Sequence, residues 1–485
     1  MLSRDIAGII QRAKEMDAAK QVAENAAAEE CAEDPAAGQH AECEALEQPA
    51  REANIAAICA YIAAGCKPGP GKLGIELEQH IVHEDLSPVA YDDVFGSRWI
   101  LEQFMRAKES GFQSATYTPE GNLIGAARAG ATLTLEPAAQ LELSAGPYDD
   151  LGCALENLTH YQSQLEALLA AVGERPLPLG YHPSGKACDL VLIPKVRYDY
   201  MNRYLSEVGP FGPCMMRGSA STQVSIDFTD EADCVRKMRL ADFCVPLFSL
   251  ICDNSPIFEG APRTHELVRT EIWRHLDPAR SGIARGSAGD DFSWRGYAEW
   301  ILDVPAIVAP GECGEGCCHV DAEAARAAAS PHVDAEAGWH YDARPFGEIY
   351  AHEVMTEADV EHALSMVFPD VRLKRYLEIR PADALPPAEA VAFAALVKGL
   401  FYSESSLAGM EALFAGLSGE DIEAAKTALM ALGFDAQVYG RPAGELADAL
   451  FALARTALGD DACYLEPLES LATARLTPAN AHLVL

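Results

Sequence analysis

Four short segments of this chain alternate polar and apolar residues with a period of two. This is the mark of strands, which send successive side chains to opposite faces. In Gly74 to His80, Glu76, Glu78 and His80 share one face while Ile75 and Leu77 share the other. In Gln140 to Ser144, Gln140, Glu142 and Ser144 oppose Leu141 and Leu143. In Gln223 to Phe228, Gln223, Ser225 and Asp227 oppose Val224, Ile226 and Phe228. In Tyr376 to Arg380, Glu378 and Arg380 oppose Leu377 and Ile379.

Between and after these strands the period changes. Leu151, Leu155, Leu158, Leu165 and Leu169 recur at three- and four-residue steps, predicting a helix over Asp150 to Ala171 with Asp149 or Asp150 as N-cap. Glu231 to Leu250 predicts a second helix, kinked at Pro246. Helical patterns dominate from residue 386 to 485, as in Ala388 to Leu400 and Glu445 to Leu458. Residues 1–50 form an acidic, Ala-rich extension without aromatic residues. Residues 51–385, in which helix-, strand- and turn-like segments alternate, are expected to form the core, with 310–342, rich in Ala, Gly, Glu and Cys, as an inserted loop.

Charge narrows the function classes. The 73 acidic against 37 basic residues give a net charge of −36. Nucleic-acid binding needs clustered Lys and Arg and is not expected. No uncharged apolar run reaches the roughly 18 residues of a membrane helix. The first twenty residues carry Arg4, Asp5, Arg12, Lys14, Glu15 and Asp17, unlike an apolar signal segment. Together with scattered cysteines, this predicts a cytoplasmic, reduced protein.

The residue types on the four polar faces carry the chemistry. An idle wet face alternates in the same way, but it favours Lys, Thr and Arg. These faces hold carboxylates and carboxamides and no lysine. If they converge, they form a field of oxygen ligands suited to Mg²⁺ or Mn²⁺, with charge that such ions would offset. Arg197, Arg217, Arg263, Arg269 and Arg280 fall in nearby loops, and arginine suits bidentate capture of carboxylate or phosphate. Each also has an ordinary reading as a salt bridge. Pro68 to Leu73 only superficially resembles a phosphate loop, since Cys66 and Leu73 stand where Gly and Ser/Thr are needed. Cys313, Cys317, Cys318 and His319 are loosely spaced for a structural zinc site.

Seven stretches, in order, resemble the glutamate–cysteine ligase family of the plant and proteobacterial type, a branch of the glutamine-synthetase-like carboxylate–amine ligases. They are GIELEQHIV (Gly74 to Val82), TLTLEPAAQLELSAGP (Thr132 to Pro147), GYHP (Gly180 to Pro183), MMRGSASTQVSIDF (Met215 to Phe228), NSPIFEG (Asn254 to Gly260), RTEIWRHLDPARSG (Arg269 to Gly282) and YLEIRPAD (Tyr376 to Asp383).

The resemblance implies an α+β fold with a curved antiparallel sheet forming a funnel, flanking helices, and ATP and metal on its polar face. It implies that Glu76, Glu78, Glu142 and Glu378 are metal ligands. Gln140, Gln223 and Ser225 would line the nucleotide or metal site, and Arg380 would contact phosphate. Arg269, Trp273 and Arg280 would hold the amino-acid substrate, with Arg280 and Arg380 serving catalysis. The implied reaction joins glutamate to cysteine through a γ-glutamyl phosphate. A ligase with another amine acceptor, and a non-catalytic nucleotide- or metal-binding protein on the same scaffold, stay open. Ala138–Ala139 stands where the family usually has Gly-Gly, which implies a different turn if those glycines need positive φ. Ile257 replaces an expected Phe, and the 310–342 segment has no family counterpart.

Overall fold

The computed structural model describes residues 50–69, 71–310 and 339–481. The expected N-terminal extension, apart from Ala50, lies outside them, as do Cys313, Cys317, Cys318 and His319. Nine strands form one sheet: β1 (Leu73–His83), β2 (Ser114–Tyr117), β3 (Leu123–Arg128), β4 (Ala131–Leu135), β5 (Leu141–Tyr148), β6 (Glu174–Leu177), β7 (Thr222–Ile226), β8 (Val371–Leu373) and β9 (Leu377–Ile379). Their order is β8-β9-β7-β1-β5-β4-β3-β2, with β6 alongside the far half of β1. Every pairing in this sheet is antiparallel.

The apolar face of the period-two pattern is the core face. Ile75, Leu77, Leu141, Leu143, Val224, Ile226, Leu377 and Ile379 are all buried. Of the surrounding helices, α1 (Arg51–Ala63), α2 (Leu151–Ala170), α3 (Glu231–Ile251), α4 (Val268–Arg274), α5 (Pro387–Phe401), α6 (Gly419–Leu432) and α7 (Ala443–Leu458), it is α2, α3 and α5 that pack against the sheet. Asp150 caps α2 by accepting from the Cys153 amide, and α3 runs through Pro246. The α5 helix is apolar all round, as suits a helix packed on β1, β7, α2 and α7 at once.

The segment around residue 310 departs from a plain loop at both ends. Pro305–Pro310 and Trp339–Pro345 pair as an antiparallel ladder, so the interruption between them is flanked by regular structure. Ala139 also departs from expectation. It takes φ 69° without being glycine, so the turn keeps its left-handed residue despite the Ala-Ala sequence. The turn is held by the Glu136 amide donating to the Gln140 carbonyl and the Ala139 amide to the Glu136 carbonyl.

Candidate active site

Strand register assembles the site. Glu78 stands directly opposite Glu142, which in turn faces Thr134. Glu76 lies between Gln223 on β7 and Ser144 on β5. Glu378 faces Ser225 on one side and Arg372 on the other. Like charges set across a strand pair repel, so this face needs compensation, and the two ends obtain it differently.

At the β8–β9 end the compensation is internal. Glu378 is fully buried. It accepts from Arg372 Nε at 2.6 Å, Arg380 Nη1 at 2.9 Å and Lys374 Nζ at 3.1 Å. Those cations hold its carboxyl well below the usual carboxylate range despite burial. Arg380 Nη1 also donates to Gln223 Oε1, while Gln223 Nε2 donates to Glu78 Oε1 at 2.9 Å.

At the β1–β5 end the carboxylates are crowded. Glu78 is held by the Ser221 amide and hydroxyl as well as Gln223. Glu142 accepts from Thr134 and Ser144 hydroxyls. Among the described residues no donor reaches the carboxylates of Glu76 and Glu136. Burial, Glu142 and Glu378 push Glu76 up to about 8. Burial with Glu142 and Glu78 pushes Glu136 well above the carboxylate range.

No three of the described His, Cys, Asp or Glu side chains are placed as a ready metal cage. Two of the four expected metal ligands explain this directly: Glu378 and Glu78 are already bound by protein donors. The chemistry of the other two, joined by Glu136, still fits a hard cation. Glu76, Glu136 and Glu142 are clustered oxygen donors, two of them without any protein donor.

A cleft of about 460 Å³ opens beside this cluster. Glu76, Ser225, Ser144, Thr132 and Tyr376 lie along it, and Lys67, Lys72 and Arg128 stand at its edge. Gly74 faces Ser225 so closely that a Cβ would sit 3.2 Å from the serine Cβ. Lys67 and the Lys72 amide are anchored on Asp227, so the Gly-Pro-rich loop is tied down by that carboxylate.

Beyond Glu78, β1 turns neutral. His80 packs edge-on against His182, with ring centroids 5.1 Å apart. Burial keeps both imidazoles uncharged, lowering His182 to about 4.

Arg269, Trp273 and Arg380 line a second, narrower crevice. The Trp273 ring lies 5.9 Å from both guanidinium carbons. Trp273 Nε1 and Arg269 Nε are buried without a hydrogen-bond partner.

Two expected site residues are corrected by the structure. Arg280 is fully buried and does not line this crevice. Its guanidinium is held by Asp277, the Met366 carbonyl and the Pro305 carbonyl. It is a structural arginine, and neither a catalytic nor a substrate-binding role follows. Gln140 is likewise committed: Nε2 donates to the Arg217 and Ser219 carbonyls and Oε1 accepts from the Ala138 amide. It fixes the turn beside the site instead of lining the cleft. Arg197, Arg217 and Arg263 are also structural, bound to Ser365, to Asn202 and Leu190, and to Asp253 respectively.

Three site residues escaped the sequence pattern. Glu136 continues the Thr132, Thr134 alternation of β4, a readable signal that Pro137 interrupts. Arg372 and Lys374 lie on the face of Glu378 and Arg380 once the chain is folded at the tight turn closed by Lys374 N to Tyr376 O.

The model of glutamate-cysteine ligase family 2 matches residues 72–480. The chain is 28% identical over 430 residues to the chloroplastic glutamate–cysteine ligase B of Oryza sativa subsp. japonica, covering 87% of this chain and 82% of that one. It is 27% identical over 451 residues to the chloroplastic glutamate–cysteine ligase of Arabidopsis thaliana, covering 90% and 82%. With that of Solanum lycopersicum it shares 30% over 376 residues, covering 75% and 67%. A solved glutamate–cysteine ligase of Francisella tularensis, in complex with AMP, superposes with TM-score 0.41 at 12% identity over 86% of this chain and 84% of that one, too distant a likeness to argue from.

The expected cytoplasmic location is overturned by these relatives, which are chloroplastic proteins. An apolar-leader criterion speaks only to secretion. Plastid-targeting segments are amphipathic, so their chemistry lies outside that criterion. Among the described residues no helix is long and apolar enough to cross a membrane.

Proposed function

The chain belongs to glutamate-cysteine ligase family 2, and from that premise we propose that it joins the γ-carboxylate of L-glutamate to the amine of L-cysteine, using ATP. The observation that carries this reading is the meeting, on one sheet face, of carboxylates lacking donors with a buried glutamate ringed by three cations.

The acidic end suits Mg²⁺ or Mn²⁺, with Glu76, Glu136 and Glu142 as the residues that would hold it. When bound, the ion supplies positive charge that lets carboxylates and phosphates share the cleft and stabilises charge on the transferring phosphoryl group. Lys67, Lys72 and Arg128 at the cleft's edge attract the triphosphate. Gly74, lacking a Cβ that would crowd Ser225, keeps that part of the sheet face clear for it.

Arg380 stands at the border between the cleft's carboxylates and the crevice. Bound to Glu378 and Gln223, it holds a fixed orientation toward the phosphoryl group transferred from ATP to glutamate. Arg269, held through Nη1 by the Pro381 and Ala382 carbonyls and 3.8 Å from Asp383, and Trp273 offer their Nε and Nε1 as unengaged donors to a substrate carboxylate. The γ-carboxylate of glutamate attacks the γ-phosphorus of ATP, giving γ-glutamyl phosphate and ADP. The cysteine amine then displaces phosphate and forms the amide, releasing a proton. No protein nucleophile takes part.

ADP release with glutamate plus cysteine, with and without Mg²⁺, tests the proposal. Turnover should need all three. Turnover with glutamate and another amine, but not with cysteine, would reassign the acceptor. No ADP release with any amine would remove the catalytic reading.

A further inference from the structure

The narrow crevice holds an electrostatic puzzle. Arg269, Arg274 and Arg380 line it together with Asp370. An aspartate among three arginines would ordinarily pair with one of them and cancel its charge. Here it does not. Asp370 Oδ2 is bound at 2.7 Å by Lys426 Nζ, from α6 in the helical C-terminal region. Lys426 is 2% exposed. The same ammonium lies 2.7 Å from Glu423 Oε1. Glu423 Oε2, in turn, accepts from Arg274 Nε at 3.0 Å.

One helix thus clasps both walls of the crevice. Through Arg274 it holds α4, which carries Arg269 and Trp273. Through Asp370 it holds the segment next to Arg380, whose amide donates to the Asp370 carbonyl at 3.0 Å. Once Lys426 takes Asp370 and Glu423 takes Arg274, the buried Nε of Arg269 and Nε1 of Trp273 have no protein acceptor. A buried lysine is costly unless paired, and its two carboxylates meet that need. The crevice has room, about 20 Å³, for roughly one water-sized group. It therefore suits the head of a ligand, such as a terminal carboxylate, and not a whole molecule.

We propose that Lys426 is a positioning residue that sequesters Asp370, so that Arg269, Trp273 and Arg380 stay available for a substrate carboxylate. This rests on the ligase reading insofar as the carboxylate belongs to glutamate. Without Lys426, Asp370 turns to an arginine of the crevice and competes with the substrate.

The test is a charge-balance cycle on the full chain. L-glutamate binding is measured by calorimetry, the KM for glutamate by ADP release, and unfolding by heat. Lys426→Met should weaken glutamate binding at least tenfold and raise its KM similarly, with a smaller change in kcat. Lys426→Arg should bind nearly as wild type. Lys426→Met combined with Asp370→Asn should recover most of the lost affinity, because the competitor is gone. Wild-type affinity in Lys426→Met overturns the proposal. So does a loss that Asp370→Asn fails to recover while the double variant unfolds like wild type. Should wild type bind glutamate but release no ADP with cysteine, the ligase reading falls, and the binding cycle still decides the role of Lys426.

Discussion

The two ends of one sheet face handle the same side chain in opposite ways. At β9, Glu378 is buried deeper than any other site carboxylate, yet burial is outweighed by Arg372, Lys374 and Arg380, and it stays charged. At β1 and β4, Glu76 and Glu136 lie among other carboxylates with no cation bound to them among the described residues, and burial and those carboxylates push both toward the protonated form. A glutamate at the first end is a structural counter-charge. At the second it is an unmet demand for positive charge. Position on the sheet, not residue type, decides which.

Arg380 ties the two ends together, so its loss should have the largest effect. Arg380→Ala should lower kcat by about 10³-fold, read by ADP release, with folding retained by circular dichroism. Near-normal turnover would remove it from the site. Next, Glu378→Gln should destabilise the fold by about 3–5 kcal/mol in urea, because it leaves three cations around a neutral amide. Unchanged stability would mean that the internal ion cluster is not what holds that end.

Glu76→Gln should have the opposite sign. The folded value near 8 lies above the ordinary 4.5. The contribution of Glu76 is therefore complete below about pH 4.5 and is lost as pH rises toward 8. The glutamine variant should gain on wild type across that range, reaching on the order of 1–3 kcal/mol at about pH 8. Mg²⁺ should flatten the wild-type decline in urea midpoint. A wild-type midpoint that is level with pH in the absence of divalent ions would erase the distinction between the ends.

The smallest effect concerns the turn that sets Glu136 near Glu142. Ala139→Gly should relieve its left-handed backbone and stabilise by about 1 kcal/mol, measured by thermal unfolding. A loss of stability would mean that the alanine methyl, which is buried, matters more than its φ.

Much of the site was legible because strand alternation needs only local information. Glu76, Glu78, Glu142, Gln223, Ser225 and Glu378 could each be placed on the polar face of its own strand from spacing alone, while the meeting of those faces on one sheet was implied by the family resemblance. What the sequence concealed was how each side chain's hydrogen bonds are used. Arg280 and Arg380 look alike in their motifs. One is enclosed by Asp277 and two carbonyls from distant segments, and the other faces the site. Gln140 has the right parity for the site face, but its amide meets the 217–219 backbone. Lys426 sits in an Ala-rich helix with no local hint of its role, since its partner Asp370 lies 56 residues earlier.

The long separations on this sheet also bear on how the protein is made. Arg380 meets Gln223 across 157 residues, and the Tyr402 hydroxyl reaches the Lys72 carbonyl across 330. Translation produces the acidic strands first and the cationic strand pair, with the Glu378 it encloses, last. A nascent chain that has not yet reached β8 carries the crowded carboxylates without Arg380, whose bond to Gln223 joins them to the other end of the face. The pocket therefore cannot mature piecemeal: the growing polypeptide stays inert until its final third has left the ribosome and closed the sheet.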